Sequence, residues 1–390
     1  MFARNISSKE EFVRVVFCEA YTAGLYGNQK ATINTVRLLN AHDINASIIS
    51  LAPGQFATEV SRLNKSNKTY RLGRFLHQDR LGRFRYLYWP LIIPALLGLN
   101  LFLLTSTIFR RADIVHCQNI RSCISVLPAA ILMRKSVILN IKGYVVEPAF
   151  AQILCARFVR NILVISENLV KIQSKLPIFF HCVPEVLPIC NFDFPVVQRA
   201  RHRDYQRPFQ VVYVGSMNES KGIFRLLSVA SMLCEKGYHL VEFNLVGEFI
   251  DAETRRRFLS EVEQRSLTNI KVHGYVSNMA SLLENMDLHL HLSDSDGVPR
   301  SILESACCGL PAVGFDVGGV GDVITHGRSG FVVEIHDLHE VCRCITCFYD
   351  DADFYGRCSV EAIRLAKTYD QKNYLAKLTG YYNDVTRQRY

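Results

Sequence analysis

The stretch that most constrains this chain runs from Leu288 to Val313. Leu288-His-Leu-His-Leu292 alternates in the manner of a buried strand. A turn broken by Gly297 and Pro299 follows, and Arg300 to Cys308 then fits a helix that Gly309 and Pro311 stop. Strand, turn and helix in succession are the unit from which α/β folds are built. Asp296 lies in the turn and Glu304 eight residues on, a spacing that predicts both carboxylates near one helical face. The amides of Val298, Arg300 and Ser301 are expected to be unpaired donors at the helix N-terminus, which favours an anion such as phosphate. One acid in the turn, free amides and a second acid down the helix suit a ligand carrying phosphate and hydroxyl groups. A nucleotide sugar is such a ligand.

The same unit recurs along the chain. Val13–Cys18 reads as a first strand running through Gly24 and Gly27 into a helix with Ile33, Val36, Leu38 and Leu39 inward. Ala46–Leu51, Ala112–His116, Val137–Ile141 and the strand before Ser166-Glu167 continue the pattern. Residues 191–208 read as a linker, and Phe209–Val214 opens a second series with Gly215-Ser-Met-Asn-Glu-Ser-Lys-Gly222 at its end. At 390 residues the chain exceeds one ordinary core, and two domains are expected, over residues 1–195 and 205–361.

Asp-Gly-x-Pro-x-x-x-Leu-Glu over Asp296–Glu304, extended by Gly309-x-Pro311, Asp316–Asp322 and Gly327–Gly330, resembles the acid-x7-acid signature of retaining GT-B glycosyltransferases, family 4. The resemblance implies two Rossmann-like domains facing across a cleft, the first for the acceptor and the second for the donor. It implies that Glu304 holds the donor ribose, that Asp296 holds the transferred sugar with Gly297, Val298, Pro299, Arg300 and Ser301, and that Lys221 neutralises the diphosphate. Gly24 and Gly27 would form the N-terminal glycine loop, and Tyr275 would lie in the loop that cups the base. The helix over 362–385 is expected to pack back on the first domain, as in relatives.

Three positions depart from the family. The first acid of the signature is Asp296 where the family usually has Glu. Ser216 stands where an arginine usually grips the diphosphate, leaving Arg225 or Arg300 to compensate. Lys142 stands where many relatives place a histidine; with His116 at its own strand end, it is a candidate for the acceptor side. No cofactor or metal is expected beyond a UDP- or GDP-linked donor. Asp294-x-Asp296 and Asp287-x-His289-x-His291 imitate metal sites, but both read more economically as site and core residues.

Charge is uneven: residues 1–200 carry a net +13 and residues 201–390 a net −4. Arg62, Lys65, Lys68, Arg71, Arg74, Arg80, Arg83 and Arg85 precede Tyr86–Phe109, 24 residues without a charge. That length can span a bilayer, yet spanning would split one sheet across the membrane, so an interfacial helix on an anionic surface is expected. Thirteen cysteines without framework spacing, and no leader before them, point to a reducing, cytoplasmic setting. Nucleic acid is not an expected partner, because no reading motif accompanies the basic half. The activity expected is sugar transfer to a hydroxyl in a cell-surface polysaccharide or lipid-linked glycan. A nucleotide-sugar epimerase, a phosphorylase or a catalytically weakened membrane-associated homologue would share the architecture.

Overall fold

A computed structural model describes residues 13–25, 27–64, 67–71, 89–147, 149–180, 183–192 and 194–388. The chain divides into two compact units. One holds the residues up to Val164, Ser174–Leu187 and Leu375 onward; the other holds Ile165–Gln173 and Pro188–Tyr374.

The first unit is built on a parallel sheet of β1 (Val15–Glu19), β2 (Ala46–Ser50), β3 (Lys68–Thr69), β4 (Ile114–Cys117), β5 (Ser136–Ile141), β6 (Asn161–Val164) and β7 (Glu185–Val186). The spatial order is β3-β2-β1-β4-β5-β6-β7. Every residue of β1, β2 and β4 is buried, as expected of parallel strands covered by helices on both faces. The second unit repeats the plan with β8 (Phe209–Val214), β9 (Val241–Val246), β10 (Ile270–Gly274), β11 (Leu288–His291), β12 (Ala312–Phe315) and β13 (Gly330–Val333), ordered β10-β9-β8-β11-β12-β13. Each unit is thus Rossmann-like, and each sheet reverses its winding direction once, between β1 and β4 and between β8 and β11. Loops leaving the carboxyl ends of such a strand pair diverge and open a crevice.

The uncharged stretch folds as the Trp89–Thr105 helix, then a short Thr107–Arg111 helix after Ser106. Asn100 pins the longer helix to the Ile120–Leu132 helix: its Nδ2 donates to Ser125 O and its Oδ1 accepts from Ala129 N. Ala95, Leu99 and Leu103 are buried, whereas Ile93, Leu97 and Leu101 are 53, 63 and 64% exposed. The segment therefore has a core face and an apolar outer face. Among the described residues no helix is long and apolar enough to cross a membrane. Lys65, Arg74, Arg80, Arg83, Arg85 and Tyr86 lie outside the described residues.

The single helix expected over 362–385 is two helices, Ala352–Thr368 and Gln371–Arg387. Asp370 causes the break by capping the second: its Oδ1 accepts from Asn373 N at 2.7 Å. The unit boundary falls inside that second helix.

Candidate active site

Two loops at the winding reversal of the second sheet bring the predicted charges together. After β8, Asn218 accepts from Lys221 N at 2.9 Å and caps the tight Glu219–Lys221 turn. Gly222 then takes φ +87°, and a Cβ there would lie 2.2 Å from Leu292 O. Only glycine lets the backbone of this loop touch the end of β11. After β11, the turn carrying Asp296 rests on the Gly318–Gly319 backbone, where Gly319 N donates to Gly297 O at 2.6 Å. Gly318, at φ +52°, would drive a Cβ to 1.8 Å from Asp296 O. The position of Asp296 thus depends on two backbone contacts that side chains would forbid.

Lys221 Nζ donates to Asp296 Oδ2 at 2.7 Å, and His291 Nε2 lies 3.3 Å from the same oxygen. Burial alone would raise the Asp296 pKa, but His291 and Lys221 outweigh it and hold the carboxyl well below the usual range. The Arg300–Cys307 helix begins just beyond, with Pro299 at its N-cap and no side chain capping its first amides. Glu304 sits half-buried in that helix. The geometry expected of the two acids needs correcting here: Asp296 and the three positions after it are not helical, so Asp296 and Glu304 are not stacked on one helical face. Asp296 reaches Lys221 from the turn instead.

The remaining predicted positions spread out. Ser216 is exposed and its hydroxyl accepts from Asn218 Nδ2 at 3.2 Å. Arg225 does not replace the missing arginine: it bonds Leu292 O at 3.1 Å and pairs with Asp294 at 2.9 Å, bracing the loops. Arg300 and Ser301 are half-buried, Val298 and Pro299 are buried, Gly297 is half-buried, and Tyr275 is exposed just past β10. In the first unit Gly24 is buried in the turn after β1, and Gly27 opens the Gly27–Ala41 helix. Lys142 donates to Thr32 Oγ1 at 3.0 Å at the wall of a pocket that also contains Glu19 and Asn119. His116 is not among the residues lining that pocket. It is buried against Phe17, its Nδ1 2.8 Å from the Tyr382 hydroxyl, and burial pushes its pKa down to about 3.

The metal-like triplet goes to separate partners. Asp287 takes a two-pronged bond from Arg207 at 2.8 and 2.6 Å, His289 meets Ser305 Oγ at 2.7 Å, and only His291 reaches the site. Among the described residues no group of three potential ligands could hold a metal ion. Cys342 and Cys344 lie buried in the Leu338–Asp350 helix. The part played by His291 was not legible beforehand, because alternation marks it as core and says nothing of what lies past the strand end.

Two Rossmann-like units of this order are the GT-B architecture of glycosyltransferases. The crystal structure of HepE from Anabaena in complex with UDP superimposes with a TM-score of 0.75, at 14% identity, over 95% of this chain and 100% of that one. Residues 197–364, within the second unit, match the family model for glycosyl transferases group 1. The chain is 41% identical over 64 residues to N-acetyl-alpha-D-glucosaminyl L-malate synthase of Bacillus anthracis, covering 16% of this chain and 17% of that protein. It is 25% identical over 160 residues to poly(glycerol-phosphate) alpha-glucosyltransferase of Bacillus subtilis (strain 168), covering 39% and 24%. These matches therefore span no more than a quarter of either relative's length.

Proposed function

We propose that this protein is a glycosyltransferase moving a sugar from a nucleotide-diphosphate donor, UDP- or GDP-linked, to an acceptor hydroxyl in a cell-surface polysaccharide or lipid-linked glycan, with retention of anomeric configuration. One observation carries the reading: the Lys221–Asp296 pair, closed at 2.7 Å beside an uncapped helix N-terminus, lies inside the region that matches the family model. As the bond from the anomeric carbon to the diphosphate breaks, negative charge grows on the leaving oxygen. A lysine already held in place stabilises that charge with little reorganisation. Asp296 fixes Lys221 and, past it, presents an oxygen to the sugar hydroxyls; Glu304 holds the ribose. The departing phosphate takes the acceptor proton, so no separate base is needed. Asp294 and Asp296 are each already paired with a cation, which favours lysine over a divalent ion as the counter-charge. UDP and glucosyl chemistry in the relatives named above supports a donor of this kind. The acceptor class rests on the poly(glycerol-phosphate) relative and on the apolar surface of the first unit.

The exposed faces of Ile93, Leu97 and Leu101 support a second element, peripheral docking on an anionic membrane surface from the cytoplasmic side. Proton NMR of the first product formed from UDP-glucose and a glycan acceptor tests the central reading. The expected result is an α-linked product that needs acceptor and survives EDTA. A β-linked product would end the claim of retention, and free sugar released at an unchanged rate without acceptor would favour an epimerase.

A further inference from the structure

The Asp296 carboxylate in the second unit has one donor closed on each oxygen and a third held just short. Its Oδ1 accepts from Gly297 N at 2.9 Å. Its Oδ2 accepts from Lys221 Nζ at 2.7 Å, and His291 Nε2 stands 3.3 Å from the same oxygen without completing a hydrogen bond. Nε2 is buried and has no hydrogen-bond partner among the described residues. A bare lone pair there would be repelled by the carboxylate, so Nε2 carries hydrogen and faces Oδ2 as an open donor. Buried donors are rarely left open, and one that stops just short of a carboxylate calls for a reason.

The two groups at Oδ2 differ in what a ligand can reach. The Lys221 side chain is 30% exposed, and its ammonium ends a flexible four-carbon stem, with Ser295 O a further 3.4 Å contact. The His291 side chain is 6% exposed and belongs to β11, where it stands opposite Gly314 of β12 and stacks on His289 with centroids 6.3 Å apart. An anion entering from solvent can draw the ammonium and cannot draw the imidazole. Arg225 pairs with Asp294 instead, at 2.9 Å. Once the ammonium shares its charge with such an anion, a largely buried carboxylate is left under-compensated, and removing one partner of a buried pair is strongly unfavourable. A donor already 3.3 Å away limits that cost, since about 0.5 Å of movement makes an ordinary charge-assisted bond.

We infer that His291 is a positioning residue that takes over Asp296 when Lys221 turns its charge to an anionic ligand. Nε2–H closes on Oδ2 as the ammonium bond lengthens, and no proton leaves either group. The acid turn keeps its place while the lysine is freed, which a single Lys–Asp pair could not achieve. Identifying the anion as the diphosphate of a sugar donor rests on the transferase reading; the hand-over between two donors does not.

The first measurement uses the full chain without ligand: urea unfolding of the parent, Lys221→Ala, His291→Leu and the double variant. With either donor present Oδ2 keeps a partner, and with both gone it has none. The unfolding constant of the double variant should exceed the product of the single effects at least about threefold. His291→Gln, whose amide nitrogen lies as many bonds from Cβ as Nε2 does, should restore additivity, and His291→Asn, one bond shorter, should not. The Gln and Asn variants serve where His291→Leu fails to fold. The second measurement is UDP binding by calorimetry. His291→Leu should weaken UDP at least about threefold in the parent background and leave it unchanged in Asp296→Asn, where Lys221 has no carboxylate to leave. Additive unfolding effects, a loss that His291→Gln fails to rescue, or the same UDP loss in Asp296→Asn would each overturn the hand-over. Non-additive unfolding in a protein that binds no UDP would sink the transferase reading alone, and UDP binding with additive unfolding would sink the hand-over alone.

Discussion

The loops after β8 and β11 and those after β1 and β4 sit at the same topological place in two sheets, yet they are finished differently. In the second unit a carboxylate, an ammonium and an imidazole are drawn together, and Asp296 is held ionised by its neighbours. In the first unit Gln29, Gln118 and Asn140 each keep a buried amide atom without a partner among the described residues, and Glu19 and Glu147 share the wall with Lys142. Paired ions in a half-buried turn are oriented before a ligand arrives, which is what a growing charge requires. Unpaired buried amides instead carry a desolvation penalty. One winding pattern therefore carries two differently finished sets of side chains, and the difference lies at strand ends.

The sharpest way to break this contrast is Lys221→Ala. Losing a single preorganised positive group from the leaving-group side should lower kcat by about 10²–10³ while KM moves little. Steady-state kinetics with a folded variant reads this, and a change confined to KM would make Lys221 a ground-state contact only. Glu304→Ala comes next: loss of a charge-assisted bond to the ribose should weaken UDP by roughly 1.5–3 kcal/mol, measured by calorimetry. UDP affinity equal to that of the parent protein would remove Glu304 from the site.

Acid should then distinguish neither unit, because each carries a buried neutral histidine. His116 and His289 both have folded pKa values near 3, lowered first by burial, against about 6.5 for an unfolded histidine. Between those values the unfolded chain binds more protons, so stability is full above pH 6.5 and declines as pH falls toward 3. Each histidine adds a slope of up to about 1.4 kcal/mol per pH unit, and His116→Gln or His289→Gln should each flatten it in urea titrations from pH 7.5 to 4.5. Parallel slopes in parent and variants would mean that other groups dominate.

The smallest effect on the fold belongs to the apolar stripe. Changing Ile93, Leu97 and Leu101 to Ser should alter stability by no more than about 0.5 kcal/mol per site, since all three are exposed. The same changes should release the protein from anionic vesicles in a sedimentation assay. Leu103, buried on the opposite face, is unsuitable for that test, because Ser there would open the core. Unaltered sedimentation would take the stripe out of membrane binding.

The strand-turn-helix repeat and the placement of the Arg300–Cys307 helix were legible in the residues. Periodicity, glycine and proline act locally, and their effects do not depend on distant parts of the chain. The GT-B order and the functional weight of Asp296 followed from a motif contained in one such repeat. What tertiary structure alone decided was every pairing across elements. Arg225 turned to Asp294 and Leu292, while His291 reached Asp296 from the end of its strand. Asp370 split a helix that periodicity read as continuous. Glu19, Gln118 and Asn140 met at one pocket although the chain separates them widely, because β1, β4 and β5 are neighbours only in the folded sheet. Such contacts depend on which strands pair and where their ends fall, and that is set by burial of the whole sheet, a property no single stretch contains.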